Sequence, residues 1–154
     1  MAERNLEYLG RGFSFPFAFS VVRGGVLSRS QVAQASEVEK VRMSIWQILG
    51  TSIGSRPMLR SFGSRIRQTI FAPIGPDTNI LVGHYVKQAV ETWEPRVFVQ
   101  NVTVSDQARS EGRLDIGVDF VIKATYEPGS IVFPYYLSEG ERASWAAAFE
   151  NGRV

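Results

Sequence analysis

Four acidic residues stand at spacings that could support acid–base chemistry. Glu91 and Glu94 lie three apart at the end of an apolar-periodic stretch, so on a helix they would share a face. Asp115 and Asp119 would point the same way from one strand, but at roughly 3.3 Å per residue they stand about 13 Å apart. A glycoside-cleaving pair needs about 5 to 10 Å. The facing run 97–104 carries no acid to complete a cross-strand pair. Glu91 and Glu94 could come closer, yet nothing around them in the sequence holds one carboxyl neutral, as a general acid requires. His84 is the sole histidine; it sits mid-helix in the pattern, and no Gly-x-Ser-x-Gly elbow supplies it with a nucleophile. The chain has no cysteine, which excludes disulfides, thiolate metal sites and Cys nucleophiles, and a single histidine excludes a multi-His metal site. Neither phosphate-binding glycine fingerprint is present. The residues therefore point to no catalytic set, no cofactor and no metal.

The basic residues are less evenly spread than the net charge of +2 suggests. Residues 54–76 contain Arg56, Arg60, Arg65 and Arg67 and no acid. Three readings fit: a solvated face, a nucleic-acid contact, or a contact with an acidic protein surface. Nucleic acid calls for interleaved exposed aromatics and a larger net charge, and only Phe62 and Phe71 are at hand. Arginine is well suited to bidentate contacts with carboxylates, so an acidic partner fits at least as well.

These residues must be carried by a small set of elements. In residues 12–22, Phe13, Phe15, Phe17 and Phe19 alternate with small residues, the period of an extended segment with one aromatic face. Pro16 restricts that segment to an edge or a surface arm, and Gly24-Gly25 turns it. Ser36 followed by Glu39 forms a capping-box pattern, and Val38, Val41, Ile45, Ile48 and Leu49 then predict a helix over 37–51. A loop follows, then a short helix carrying Ile66, Ile70 and Phe71. A third helix, capped by Asp77 or Thr78, presents Leu81, Val82, Tyr85, Val86, Ala89, Val90 and Trp93 at helical spacing. It stops at Pro95, which restricts Glu94 to extended backbone. The Glu94-Pro95-Arg96 corner then reads as two charges displayed at a rigid bend.

Two strands come next, 97–104 and 114–125, the second with Leu114, Ile116, Val118, Phe120 and Ile122 on one face. A polar linker over 105–113 suits a long hairpin loop. Residues 131–137 read as a short strand or arm and 138–149 as a helix with Trp145 and Phe149 one turn apart.

At 154 residues the chain suits one domain, and its composition is that of a soluble globular protein, with no apolar run near the roughly 20 residues of a membrane span. The N-terminus carries acids and lacks the apolar stretch of a signal peptide, so synthesis and assembly in the cytoplasm are expected. The expected class is α+β: about three helices packed on a β-hairpin or small antiparallel sheet, with an extended N-terminal arm and a C-terminal tail. The division is 1–126 for the domain with its arm and 127–154 for an extension.

The order of short motifs carries more information than any one of them. It runs GRGFSFPF, Ile48-Leu49-Gly50-Thr51, Gly54-Ser55-Arg56-Pro57-Met58, Arg60-Ser61-Phe62-Gly63, Ile70-Phe71, Trp93-Glu94-Pro95-Arg96, and a hairpin. This order, over about residues 10–125, resembles the small baseplate wedge subunit of contractile tails. That tail-lysozyme-like family includes phage baseplate proteins, the TssE subunit of type VI secretion and the matching subunit of extracellular injection systems. Ser55 stands where the family commonly has Glu, and the tail beyond Glu127 has no counterpart.

The resemblance implies a structural subunit and not an enzyme. It implies that Glu94, Pro95 and Arg96 contact the larger wedge proteins. It also implies that the hairpin, through Val97, Val99, Leu114, Ile116, Val118, Phe120 and Ile122, resembles a sheath domain and templates the first sheath ring by strand addition. Six copies around a central tube, neighbouring tube or hub proteins, and a final place in a virion tail baseplate or injection particle are implied with it. The rival readings are a peptidoglycan-cleaving tail lysozyme, after the family's older name, and a nucleic-acid-binding protein using the arginines.

Overall fold

A computed structural model of the chain describes residues 11–13, 19–24, 27–32, 34–69, 75–107 and 112–136. They fall in two compact units, one up to Ser44 and one from Ile45. In the first, β1 (Arg11–Phe13) pairs antiparallel with β4 (Gln34–Ser36), and β2 (Phe19–Gly24) forms a hairpin with β3 (Leu27–Val32). The expected arm is thus two short strands, each paired with a later one. Phe15, Pro16 and Phe17 lie outside the described residues.

Helix α1 (Glu37–Gly50) begins directly after Ser36 and runs through the division between the units. Its apolar spacing sends Val41, Ile45, Ile48 and Leu49 to buried positions. The expected short second helix is a single 3-10 turn over Ile66–Thr69, so the described chain has two α-helices where about three were expected; Ile70 and Phe71 lie outside the described residues. Helix α2 (Pro76–Trp93) is capped by Gly75, not by the side chain of Asp77 or Thr78. Pro76 at its first position loses nothing, because the amide it lacks would have had no partner inside the helix.

The second unit is completed by an antiparallel sheet in the order β5–β6–β7, with β5 Val97–Ser105, β6 Arg113–Ile122 and β7 Pro128–Tyr136. β6 alternates strictly, with Leu114, Ile116, Val118, Phe120 and Ile122 all at most 5% exposed. Helix α2 supplies Val82, Val86, Ala89 and Val90, and α1 supplies Trp46, whose ring meets Phe133 of β7 edge-on at 4.8 Å. Gly129 stands opposite Phe120 in the register, and a methyl group there would lie 2.7 Å from the Phe120 ring. The glycine makes room for a large fully buried side chain at the centre of the sheet.

The sheet is the small antiparallel sheet of the expected α+β class, the hairpin of β5 and β6 extended by a third strand. β7 adds along the second edge of β6, so residues 128–136 belong to the sheet, whereas the expected helix over 138–149 lies outside the described residues. A lone hairpin is marginal in water, and a third strand with a helix face behind it is the usual remedy.

Candidate interaction surface

The end of α2 and the start of β5 build a corner from consecutive residues. The Glu94 amide donates to the Val90 carbonyl at 2.8 Å, the last helical bond. Pro95 is exposed, and Arg96 presents its carbonyl to the Lys123 amide at 2.9 Å, which ties the corner to the far end of β6. The Glu94 and Arg96 side chains face each other: Nε donates to Oε1 at 2.5 Å and Nη2 to Oε2 at 2.6 Å. This bidentate fork is the strongest geometry available to the pair. The hydrogen bond to Glu94 and the charge of its carboxylate raise the Arg96 pKa above the ordinary guanidinium value, against the opposing pull of burial.

Burial separates the two partners. The Glu94 side chain is 4% exposed and that of Arg96 31%. Displayed at the corner are therefore Pro95 and part of the Arg96 side chain, while the Glu94 carboxylate is an internal clamp that orients it. The alternation of residue types around Pro95 cannot reveal which charge lies inside.

The hairpin residues face inward. Val97, Val99, Leu114, Ile116, Val118, Phe120 and Ile122 all point into the core of their own unit. Their side chains are spent on folding, and β6 is paired along both edges. Among the described strands, the sheet offers its backbone to another chain only at the outer edges of β5 and β7. Pro128 and Pro134 each deprive β7 of a donor, whereas β5 has an amide at every residue from Val97 to Ser105. Beside β5 runs an open groove of about 450 Å³, lined by Ile80, Gly83, His84 and Lys87 of α2 and by residues 99–102. His84 is exposed.

The arginines lie on a loop that the glycines shape. The Gly54 amide donates to the Arg60 carbonyl at 2.8 Å, closing the tip, and the Ser64 amide donates to the Thr51 carbonyl at 2.8 Å, closing the base. Gly63 has φ of 112°, and a Cβ on it would come within 2.2 Å of the Thr51 carbonyl oxygen. Arg56, Arg60, Arg65 and Arg67 are all exposed, and the Arg56 guanidinium lies 4.3 Å over the Phe62 ring. Phe62 packs in turn on Trp93, ring centres 5.1 Å apart. The sequence pattern picks out these arginines without linking them to the corner, because contacts between residues 62 and 93 have no local periodicity.

Three of the acidic residues lie beside cations. Glu91 lies 4.0 Å from Lys87, Glu94 gives both oxygens to Arg96, and Asp115 pairs with Arg113 at 2.9 Å. No group of three or more potential metal ligands occurs among the described residues, and no helix there is long and apolar enough to cross a membrane.

Comparison with known proteins agrees with this architecture. Residues 35–127 match the family described as Baseplate wedge protein gp25. The chain is 33% identical over 109 residues to Baseplate protein W of Escherichia phage P2, covering 70% of this chain and 92% of that protein. A crystal structure of a putative tail lysozyme from Geobacter sulfurreducens is 38% identical with a TM-score of 0.63, covering 66% of this chain and 91% of that one. A chain of the post-contraction pyocin R2 baseplate is 25% identical with a TM-score of 0.51 over 70% of this chain and the whole of that one. A chain of the anti-feeding prophage baseplate, 19% identical, shares the fold with a TM-score of 0.55 over 90% of this chain and 95% of that one.

Proposed function

The chain belongs to the baseplate wedge protein gp25 family, and from that premise we propose that it joins the wedge core to the sheath and starts sheath assembly by accepting a strand. A baseplate protein of a contractile tail system has other baseplate proteins as its partners. The finer assignment gives the corner at Pro95 and Arg96 to the wedge core and the outer edge of β5 to a sheath strand. Tube or hub proteins are further neighbours, and six copies surround the tube. Assembly takes place in the cytoplasm before the finished particle carries the chain in its tail baseplate.

The observation that supports this most is the outer edge of β5, which no described strand covers and which runs proline-free beside an open groove, with one register shift between Val99 and Asn101. Main-chain pairing gives affinity to such an edge, and alternate side chains entering the groove give register. The hairpin residues expected to meet the sheath support the edge from beneath, as core.

Asn101 and Thr103 are exposed on β5, and lysine at both would guard the edge as natural edge strands are guarded. The Asn101→Lys/Thr103→Lys chain should fold, enter baseplates and fail to start sheaths, seen as naked tubes by negative-stain microscopy. Full-length sheaths on particles carrying this chain would overturn the strand-addition role.

A further inference from the structure

We infer that the arginine loop and the Glu94-Pro95-Arg96 corner form one continuous docking surface, and that its partner is a baseplate protein presenting an apolar recess rimmed by carboxylates. The inference deepens the wedge-core assignment of the corner and rests on it.

The loop over residues 52–65 is built to hold an apolar tip in water. Met58 is 99% exposed and Leu59 43% exposed, although the chain around them is held by two closing backbone bonds, by the φ of Gly63 and by the buried Ser64 hydroxyl donating to the Leu49 carbonyl at 3.0 Å. A tight loop with an unsupported thioether at its summit is preorganised, so a partner that covers it orders little new chain. Methionine is also the side chain best able to fill an irregular recess.

Charge sets the chemistry of the rim. Arg56 and Arg60 flank the tip, both exposed, and no acid occurs from residue 54 to residue 76. An acidic rim around an apolar recess complements that arrangement, and guanidinium groups favour carboxylates in fork geometry.

Continuity with the corner is direct. Arg56 lies over Phe62, Phe62 packs on Trp93, and Trp93 immediately precedes Glu94. A partner seated on Pro95 and Arg96 lies next to this stack, and the loop extends its footprint from a single corner to a wider surface.

The natural absence of cysteine supplies the test. Met58→Cys, with Gln88→Cys as an exposed control on α2, is labelled with a charged maleimide in the free chain and in assembled baseplates. Labelling at position 58 should slow at least about 10-fold on assembly, and Arg56→Glu/Arg60→Glu should cut incorporation about 10-fold or more while its thermal unfolding stays within about 4 °C of wild type, the loss expected from the Arg56–Phe62 contact. Equal labelling of the Met58→Cys thiol in free and assembled chain would overturn the inference. If Arg96→Lys blocks incorporation while the thiol of Met58→Cys stays open to label in particles carrying native Arg96, the corner role survives and the extended surface fails; if neither responds, both fail. Retardation of duplex DNA or RNA by the wild-type chain that is lost in Arg56→Glu/Arg60→Glu would assign the loop to nucleic acid and likewise overturn it.

Discussion

Removing the guanidinium from Arg96 leaves a carboxylate almost entirely out of water. Breaking a buried pair from one side costs about 3–5 kcal/mol. The 31% exposure of Arg96 lets water partly replace it, so roughly 2–4 kcal/mol is expected for Arg96→Met, which keeps the stem. For a chain of this size that lowers Tm by roughly 6–12 °C. A double-mutant cycle with Glu94→Gln isolates the pair: the double variant should recover part of the loss, with a coupling of about 1.5 kcal/mol or more. The pH dependence follows from the raised Arg96 pKa. A cation whose pKa rises on folding contributes its full share below its unfolded value and loses it only above, so the deficit of Arg96→Met should be flat from about pH 7 to about pH 10. Urea and thermal unfolding of the four chains, both followed by circular dichroism, read the free energies and the Tm. A coupling near zero, with Arg96→Met within about 0.5 kcal/mol of wild type, would reduce the pair to a solvated surface contact and refute the internal-clamp role.

Gly63→Ala should destabilise by about 2 kcal/mol or more, because a positive φ and a carbonyl in the path of Cβ act together; thermal unfolding measures it. Gly129→Ala forces the fully buried Phe120 ring aside and should cost about 1–3 kcal/mol by the same assay, with tryptophan emission shifted if the repacking reaches Trp46 through Phe133. Purified chain should release no dye from labelled peptidoglycan above buffer; release that disappears in a Glu91→Gln/Glu94→Gln chain would instead support the tail-lysozyme reading.

The two main helices and the inward face of β6 are legible in the sequence because period and burial coincide there. Val41, Ile45 and Ile48 repeat every three or four residues, and Leu114 to Ile122 alternate without a break. Strands β3 and β4 escape a sequence reading, since Leu27-Ser28-Arg29-Ser30-Gln31-Val32 has no apolar alternation; its pairing depends on partners earlier in the chain. β7 reads only as a strand or arm, because Pro128, Gly129 and Pro134 interrupt the pattern that its pairing with β6 overrides. At the corner the sequence indicates the bend and the two charges, but the direction of each side chain depends on the packing behind it, and Glu94 is the internal member. The loop's arginines are visible as composition, while their link to Trp93 through Phe62 exists only in three dimensions.

Hydrogen exchange along β5, compared between the free chain and assembled tails, reads whether a strand is added there. An added strand bonds the outward amides of β5, so exchange at those amides should slow on assembly, the alternation shifting by one residue between Val99 and Asn101, with β6 amides protected in both states because they are already paired on each side. Unchanged exchange along β5 in particles with complete sheaths would contradict it.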